Sequence, residues 1–142
     1  MQQYLGVKLV EAKPCKQGDD DGYEVTYPDG YKSRCPKEQF ELANRPINGL
    51  TFGHAIQALK NGHKVARSGW NGKGMFLYLS GPPNGSSVFA EQVWGQAGRE
   101  FAEQNGGSVD VLPYIVMKTA DNKLVPWLAS QTDVLAEDWE IV

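Results

Sequence analysis

The chain has 142 residues, of which 41% are hydrophobic and 22% are charged. This length suits one compact domain with a modest core, or a small core with a satellite module, and it excludes a large multidomain enzyme. The ordinary composition also excludes a wholly disordered or fibrous chain. Fourteen Lys and Arg against seventeen Asp and Glu leave a formal charge of -3, so binding to duplex nucleic acid, which uses an excess of positive charge, is not expected.

The apolar segments are too short for a membrane protein. None approaches the ~20 residues that span a bilayer. The first residues, MQQYLGVK, lack the charged start and the apolar core of a signal peptide. We therefore expect a cytoplasmic protein without a membrane partner.

Cysteine and histidine are scarce, and their spacing does not fit a metal site. The chain contains only Cys15, Cys35, His54 and His63, and the two cysteines are too far apart in sequence for a C-x-x-C pair. We expect reduced thiols, no metal and no cofactor. The common nucleophile, phosphate-loop and dinucleotide motifs are also missing, so no catalytic residue is assigned.

Residues 1–48 predict a small β-rich module that contains a hairpin. Apolar and polar residues alternate over 4–10 and again over 23–27, which is typical of strands. Pro28-Asp29-Gly30, directly after the second of these segments, predicts a tight turn. Residues 36–43 predict a short helix that begins at proline. The acidic run 19–21 is interpreted as a solvated loop tip.

Residues 49–142 predict a second domain of the α+β class, an antiparallel sheet with one or two packed helices. Thr51 is a predicted N-cap for a helix whose apolar residues follow helical spacing. Pro126 predicts an edge strand or a bulge, because proline has no N–H to donate to a sheet ladder. Trp139 is predicted to pack inside the final strand. The predicted helices cover 52–60 and 89–104, and the predicted strands cover 64–67, 75–79, 114–119, 124–129 and the C-terminal residues up to 142.

Aromatic and polar residues concentrate in two segments of this domain, and their chemistry suits a nucleotide. Trp faces can stack on a base for about 1 to 3 kcal/mol, and glycine lets backbone N–H groups approach phosphate oxygens. An arginine can pair with phosphate bidentately, and short polar side chains can bond ribose hydroxyls or a base edge. The candidate ligand-binding residues are Arg67, Trp70, Asn71, Gly72, Trp127, Ser130, Gln131, Thr132 and Asp133.

A structural interpretation of the same residues competes with this one. Trp70 and Trp127 could be core anchors, and Ser130 to Asp133 could form a capping turn before residues 134–136. On spacing alone the structural interpretation is favoured. Glu137 and Asp138 are interpreted as a solvated edge and not as a catalytic carboxylate pair.

Several segments resemble the phage Thoeris anti-defence 2 family, and they occur in the family's order. The resemblance covers roughly Leu50 to Val142 and leaves the first 48 residues outside. The segments are Thr51–Leu59, Val65–Met75, Leu112–Asp121, Trp127–Asp133 and Glu137–Trp139.

The resemblance implies a sponge without enzymatic activity. It implies a homo-oligomer, expected to be a tetramer, that sequesters the intact cyclic ADP-ribose isomer made by the TIR enzyme of Thoeris immunity in the infected bacterial host cell. Cyclic dinucleotides, which some relatives hold at a separate site, are a second candidate ligand class. On this view Trp70 and Trp127 stack or line the pocket, Arg67 and the Asn71-Gly72 backbone bind phosphate, and Ser130 to Asp133 bind ribose and base edges.

Tight binding requires a deep pocket, and a small chain gains depth by building its site between subunits. Three alternatives stay open. The first is an enzyme acting on a cyclic nucleotide, with Asp133, Glu137 or Asp138 as general base. The second is a phage structural or accessory protein without nucleotide binding, and the third is an inhibitor that binds the effector protein directly.

Overall fold

The computed structural model describes residues 1–70 and 74–142, and it confirms the α+β class. Within these described residues, all strand pairs are antiparallel and form three sheets. The helices are α1 (Lys37–Ala43), α2 (Phe52–Lys60), α3 (Gln96–Gln104) and α4 (Gln131–Leu135). The strands are β1 (Glu11–Gln17), β2 (Asp20–Thr26), β3 (Lys32–Pro36), β4 (Val65–Arg67), β5 (Phe76–Leu79), β6 (Ser86–Phe89), β7 (Ser108–Val111), β8 (Ile115–Lys118), β9 (Leu124–Pro126) and β10 (Trp139–Ile141). No helix in the described part of the chain has the length and apolar character to cross a membrane.

The N-terminal residues build a three-stranded sheet in the order β1-β2-β3, with α1 packed beside it. The predicted turn is confirmed: the Gly30 N–H donates to the carbonyl of Tyr27 at 2.8 Å, and Gly30 adopts a φ of 86°. The predicted helix after Pro36 is also confirmed as α1. Of the acidic run, only Asp19 lies in the turn, while Asp20 and Asp21 begin β2.

The strand predicted over residues 4–10 is wrong. These residues belong to no strand, and the first strand begins at Glu11. Glu11 pairs with Thr26, the last residue of β2 before the turn. Residues 4–10 therefore lie beyond the end of the partner strand. A segment in which apolar and polar residues alternate forms a strand only where a second strand accepts and donates its backbone hydrogen bonds.

The main sheet has five strands in the order β10-β4-β5-β8-β9. The predicted strands over 64–67, 75–79, 114–119 and 124–129 are confirmed as β4, β5, β8 and β9, with shorter bounds. Strand β9 lies at the edge and pairs only with β8. Pro126 is thus in an edge strand, as its chemistry predicts.

Helix α2 covers one face of this sheet and completes the core. The Thr51 side chain accepts the His54 N–H, and the His54 ring accepts the Thr51 N–H in return, so the predicted N-cap is confirmed with a reciprocal partner. The buried cluster joins α2 to β4, β5 and β10 and consists of Leu50, Ala55, Ala58, Leu59, Val65, Leu77 and Trp139. Trp139 is fully buried, which confirms its predicted packing.

The helix predicted over residues 89–104 is only half right. Phe89 ends β6 and pairs with Ser108 of β7, a strand that the sequence interpretation missed. A 3₁₀ turn follows at Ala90–Gln92, and α3 starts at Gln96. Gly95 explains the break, because its φ of 84° lies outside the helical region.

The connection between the two parts of the chain is tied to the main sheet. The N–H groups of Leu50 and Ile141 donate to the carbonyls of Trp139 and Ile47 at 2.8 and 3.0 Å. Arg45 also pairs with Glu137 at 3.0 Å. The segment between α1 and α2 therefore extends the sheet beyond β10.

Replacing Leu77 tests the core assignment. Leu77 is 0% exposed, so Leu77→Ala should lower the free energy of unfolding by about 2 to 5 kcal/mol through lost burial and a cavity. Leu128 is 91% exposed and serves as the matched control, with an expected change below about 0.5 kcal/mol. Urea unfolding measures both. Equal losses in the two variants would contradict the placement of the core.

Candidate ligand-binding site

Four aromatic rings meet where α2, β10 and the segment after β4 come together. Trp139 lies at the centre, with ring centroids 5.5 Å from Trp70, 6.0 Å from Trp127 and 5.5 Å from Phe52. Trp139 is buried, whereas Trp70 and Trp127 are half-buried. One portion of each of these two rings thus packs against the core, and the remainder reaches the surface.

Arg67, at the end of β4, bonds two carboxylates from distant parts of the chain. Its Nε donates to Asp138 Oδ1 and its Nη1 to Asp133 Oδ1, each at 2.8 Å. The Arg67 and Asp133 side chains are 17% and 14% exposed, so water screens this pair only partly. One guanidinium therefore joins β4 to α4 and to the residue before β10.

The same two carboxylates hold the start of the glycine-rich segment that comes after β4. Asp138 Oδ2 accepts the Gly69 N–H at 2.8 Å, and Asp133 Oδ1 accepts the Trp70 indole N–H at 3.4 Å. A Cβ on Gly69 would lie 2.7 Å from Asp138 Oδ2, so glycine is needed for this approach. Asn71 and Gly72, the predicted phosphate-binding residues, lie outside the described residues.

Ser130 and Asp133 cap α4. Ser130 Oγ accepts the Asp133 N–H at 3.1 Å and donates to Asp133 Oδ2 at 2.7 Å. The Trp139 indole N–H donates to the Asp133 carbonyl at 2.9 Å. The capping interpretation of this segment is therefore confirmed, and it leaves the exposed side chains of Gln131 and Thr132 for other contacts.

The electrostatics of the network favour two ionised aspartates. Hydrogen bonding from Arg67 is the largest effect at Asp138 and holds its pKa below the usual range, with the Gly69 N–H adding to it. Burial is the largest effect at Asp133 and would raise its pKa, but the bonds from Arg67, Ser130 and Trp70 together lower it. The bonds to Asp138 and Asp133 raise the pKa of Arg67 in turn. The charge of Arg67 is thus already balanced within the protein.

The structure brings most of the sequence-predicted site residues together. Arg67, Trp70, Ser130 and Asp133 bond one another directly or through one shared residue, and Trp127 lies 6.4 Å from Trp70, between ring centroids. Their assignment to a ligand stays a prediction. The interpretation of Asp138 as a residue of a solvated edge is wrong, because its carboxylate is bonded to Arg67. Sequence reasoning also missed Phe52 as a part of this site. The local pattern gave no signal for Asp138, which is 71 residues from Arg67.

These features describe a small α+β protein with a tryptophan-lined site beside a glycine-rich segment, and comparison with known proteins gives its family. Residues 50–142 match the family model described as a Thoeris anti-defense 2-like domain. A curated relative, Thoeris anti-defense 2 of Bacillus phage SP01, is 46% identical over 93 residues, which cover 66% of this chain and 94% of the relative. The chain belongs to the Thoeris anti-defense 2-like family, as its sequence segments predict, and this membership supports an anti-defence role for a phage protein.

Removing the guanidinium should destabilise the fold. Arg67→Gln leaves two carboxylates without their cation, and we expect the free energy of unfolding to fall by about 2 to 3 kcal/mol, somewhat below the cost of breaking a fully buried pair. Arg45→Gln is the matched control, because Arg45 and Glu137 are 42% and 63% exposed and such surface pairs contribute less than about 1 kcal/mol. Chemical denaturation at neutral pH gives both values. A loss at Arg45 as large as that at Arg67 would contradict this account.

The stability of the protein should also depend on pH through this network. The pKa values of Asp133 and Asp138 are lowered by folding, so their contribution is present above the unfolded pKa of about 3.9 and is lost as the pH falls through the folded values. Between about pH 5 and pH 2, the wild type should therefore lose more stability than Arg67→Gln does. Unfolding at a series of pH values measures this difference. Parallel curves would show that the network does not titrate as described.

Proposed function

We propose that this protein counters Thoeris immunity by binding a cyclic ADP-ribose-type nucleotide signal and withholding it, unchanged, from the host effector. The observation that carries the proposal is the identity of 46% over 93 residues with Thoeris anti-defense 2 of phage SP01, together with the family match over residues 50–142, which includes the whole candidate site. In this proposal the protein acts inside the infected host cell. Cyclic dinucleotides are a second ligand class for the same experiments.

The chemistry of the candidate site supports a nucleotide ligand. The half-buried Trp70 and Trp127 rings are fixed at one end by the core, so a base can stack on them with little loss of side-chain entropy. Gln131 and Thr132 offer exposed polar groups at the start of α4, and these suit the hydroxyls of ribose. Asp133 would repel a phosphate and accept a bond from a hydroxyl.

Arg67 has a positioning role in this proposal alongside the predicted contact with phosphate. Its Nε and Nη1 are bonded to carboxylates, and one guanidinium with two carboxylates carries a net charge of -1. A phosphate would therefore rely on the backbone of the glycine-rich segment as well as on the remaining donors of Arg67. The two carboxylates hold the first residues of that segment through the Gly69 N–H and the Trp70 indole.

The same contacts support binding without turnover. A general base at neutral pH works best when its pKa lies near 7, whereas the pKa values of Asp133 and Asp138 are lowered by their hydrogen bonds. Glu137, the third carboxylate of the alternative enzyme hypothesis, is exposed and paired with Arg45. The described carboxylates thus suit a structural network better than proton abstraction.

The distribution of apolar surface supports a homo-oligomer. Trp94 is 96% exposed, and the segment between β5 and β8 carries further exposed aromatic and aliphatic side chains. Large apolar residues left in water at this density are typical of surfaces that contact another protein. A tetramer would bury them and could deepen the site between copies. The exposed members of this set are Phe89, Trp94, Phe101, Leu112 and Tyr114.

Release of the ligand after denaturation tests the proposal. The purified protein is mixed with a cyclic ADP-ribose isomer made by a TIR enzyme, freed of excess nucleotide and heated, and the supernatant is analysed by mass spectrometry. We expect the intact cyclic nucleotide. Recovery of a linear or hydrolysed product would instead indicate the alternative enzyme, and recovery of no nucleotide would refute sequestration.

Two variants locate the site. Trp127→Ala should weaken binding about 10- to 100-fold through lost stacking, and Gln131→Ala should weaken it about 3- to 10-fold through a lost hydrogen bond. Gln39→Ala, at an exposed position of α1 outside the family match, is the matched control and should bind as the wild type does. Calorimetry measures affinity, and thermal melting shows whether each variant is folded. If the Gln131→Ala variant is folded and its affinity is unchanged, the start of α4 does not contact the ligand.

A further inference from the structure

A cleft of about 820 Å³ lies between the N-terminal module and the family domain. This volume is within the usual range for sites that bind small molecules. One side of the cleft comes from residues before 50, and the other comes from α2, His63 and Ile141. The family match begins at residue 50, so the cleft is completed by a part of the chain that the match does not cover. It is separate from the tryptophan site, because Trp70 and Trp127 do not line it.

The wall formed by α2 is polar and ordered. His54, Gln57 and Asn61 follow one another at helical spacing and line the cleft, while Ala55 and Leu59 on the other side of the helix enter the core. Ala58 lies at the boundary, because it lines the cleft and also belongs to the buried cluster. Thr51 holds the His54 ring, with 2.7 Å between Thr51 Oγ1 and His54 Nδ1. Gln57 Nε2 donates to Asn61 Oδ1 at 3.2 Å. These contacts set the orientation of an imidazole and two amides along one line.

The opposite wall is apolar and includes a flat ring. Phe40 of α1 lines the cleft and stacks on Tyr23 of β2, with ring centroids 4.3 Å apart. The Tyr23 hydroxyl donates to Glu41 at 2.9 Å, which fixes the pair. Val7, Leu9 and Val10 of the N-terminal segment complete this wall. A planar or aliphatic group could therefore lie between this surface and the amides of α2.

The charge of the cleft differs from that of the whole chain. The described residues that line it include two cations, Lys8 and Arg45, and one carboxylate, Glu41, whereas the chain as a whole carries -3. Arg45 also pairs with Glu137 at 3.0 Å, and the Glu41 carboxylate accepts a bond from the Tyr23 hydroxyl and keeps its negative charge. Two imidazoles, His54 and His63, add further hydrogen-bonding groups. An anionic group therefore meets Lys8, the remaining N–H groups of Arg45 and the imidazoles, whereas a cation meets the single carboxylate of the described lining.

We propose that the cleft is a second binding site, which takes an organic anion of nucleotide size with one flat ring. The ring lies against Phe40 and the N-terminal segment, and its edge bonds the amides of Gln57 and Asn61. The anionic group is held by Lys8, Arg45 and the imidazoles. This site goes beyond the sequestration proposed above and does not depend on it.

The two histidines make the proposal directly testable. They are the only ones in the chain, and both line the cleft, so their imidazole proton resonances in an NMR spectrum report this site and not the tryptophan site. The probe is adenosine monophosphate added to the full chain, with adenosine as the uncharged comparison. We expect both imidazole resonances to shift in a saturable way with a dissociation constant near or below about 1 mM, and we expect adenosine to bind at least about tenfold more weakly.

Two exposed positions on α1 provide matched variants. Ala43 lines the cleft, and Leu42, which is 85% exposed, does not. Ala43→Trp should fill the cleft and weaken binding at least about tenfold, whereas Leu42→Trp should bind as the wild type does. Lys8→Gln should weaken binding about 2- to 5-fold, as expected for an exposed charge.

The proposal is overturned if the imidazole resonances do not move up to about 10 mM of the probe, or if Ala43→Trp and Leu42→Trp titrate alike. Equal binding of adenosine would overturn the assignment of an anion. The proposed sequestration is measured separately by the release of a cyclic nucleotide, so either result can fail without the other.

Discussion

Arg67 connects the parts of the structure on which the candidate site depends. Its two carboxylate partners come from α4 and from the residue before β10, and these carboxylates also bond the backbone of Gly69 and the indole of Trp70. Ionic hydrogen bonds are worth most where water is partly excluded. The network thus orients Gly69 and Trp70 relative to the same core that Trp139 fills.

Much of the fold could be predicted because local signals and tertiary contacts agree. Thr51 before an apolar helical pattern and Pro126 in an edge strand act within a few residues. The errors occur where a distant partner decides the outcome. Residues 4–10 alternate as a strand does but have no strand beside them. Phe89 ends β6 and pairs with Ser108 of β7, so it does not belong to the predicted helix.

The candidate site was predictable in its residue types and less so in its contacts. Tryptophan, glycine and short polar residues indicated a nucleotide, and the resemblance gave the family. Sequence spacing could not show that Asp138, 71 residues away, shares Arg67 with Asp133. Sequence reasoning assigned capping and ligand binding to the same residues, 130–133, and could not show that Ser130 and Asp133 bond each other while Gln131 and Thr132 stay exposed.

The pairing of the inter-module segment with β10 has a consequence for any shortened form of the protein. Ile47 supplies the acceptor for the Ile141 N–H, yet the family match begins only at residue 50. A chain shortened to the matched region would therefore leave the Ile141 N–H at the outer edge of β10 without its acceptor. Unpaired backbone groups on an edge strand can pair with a strand of another chain. Self-association seen with such a fragment would partly reflect the cut itself.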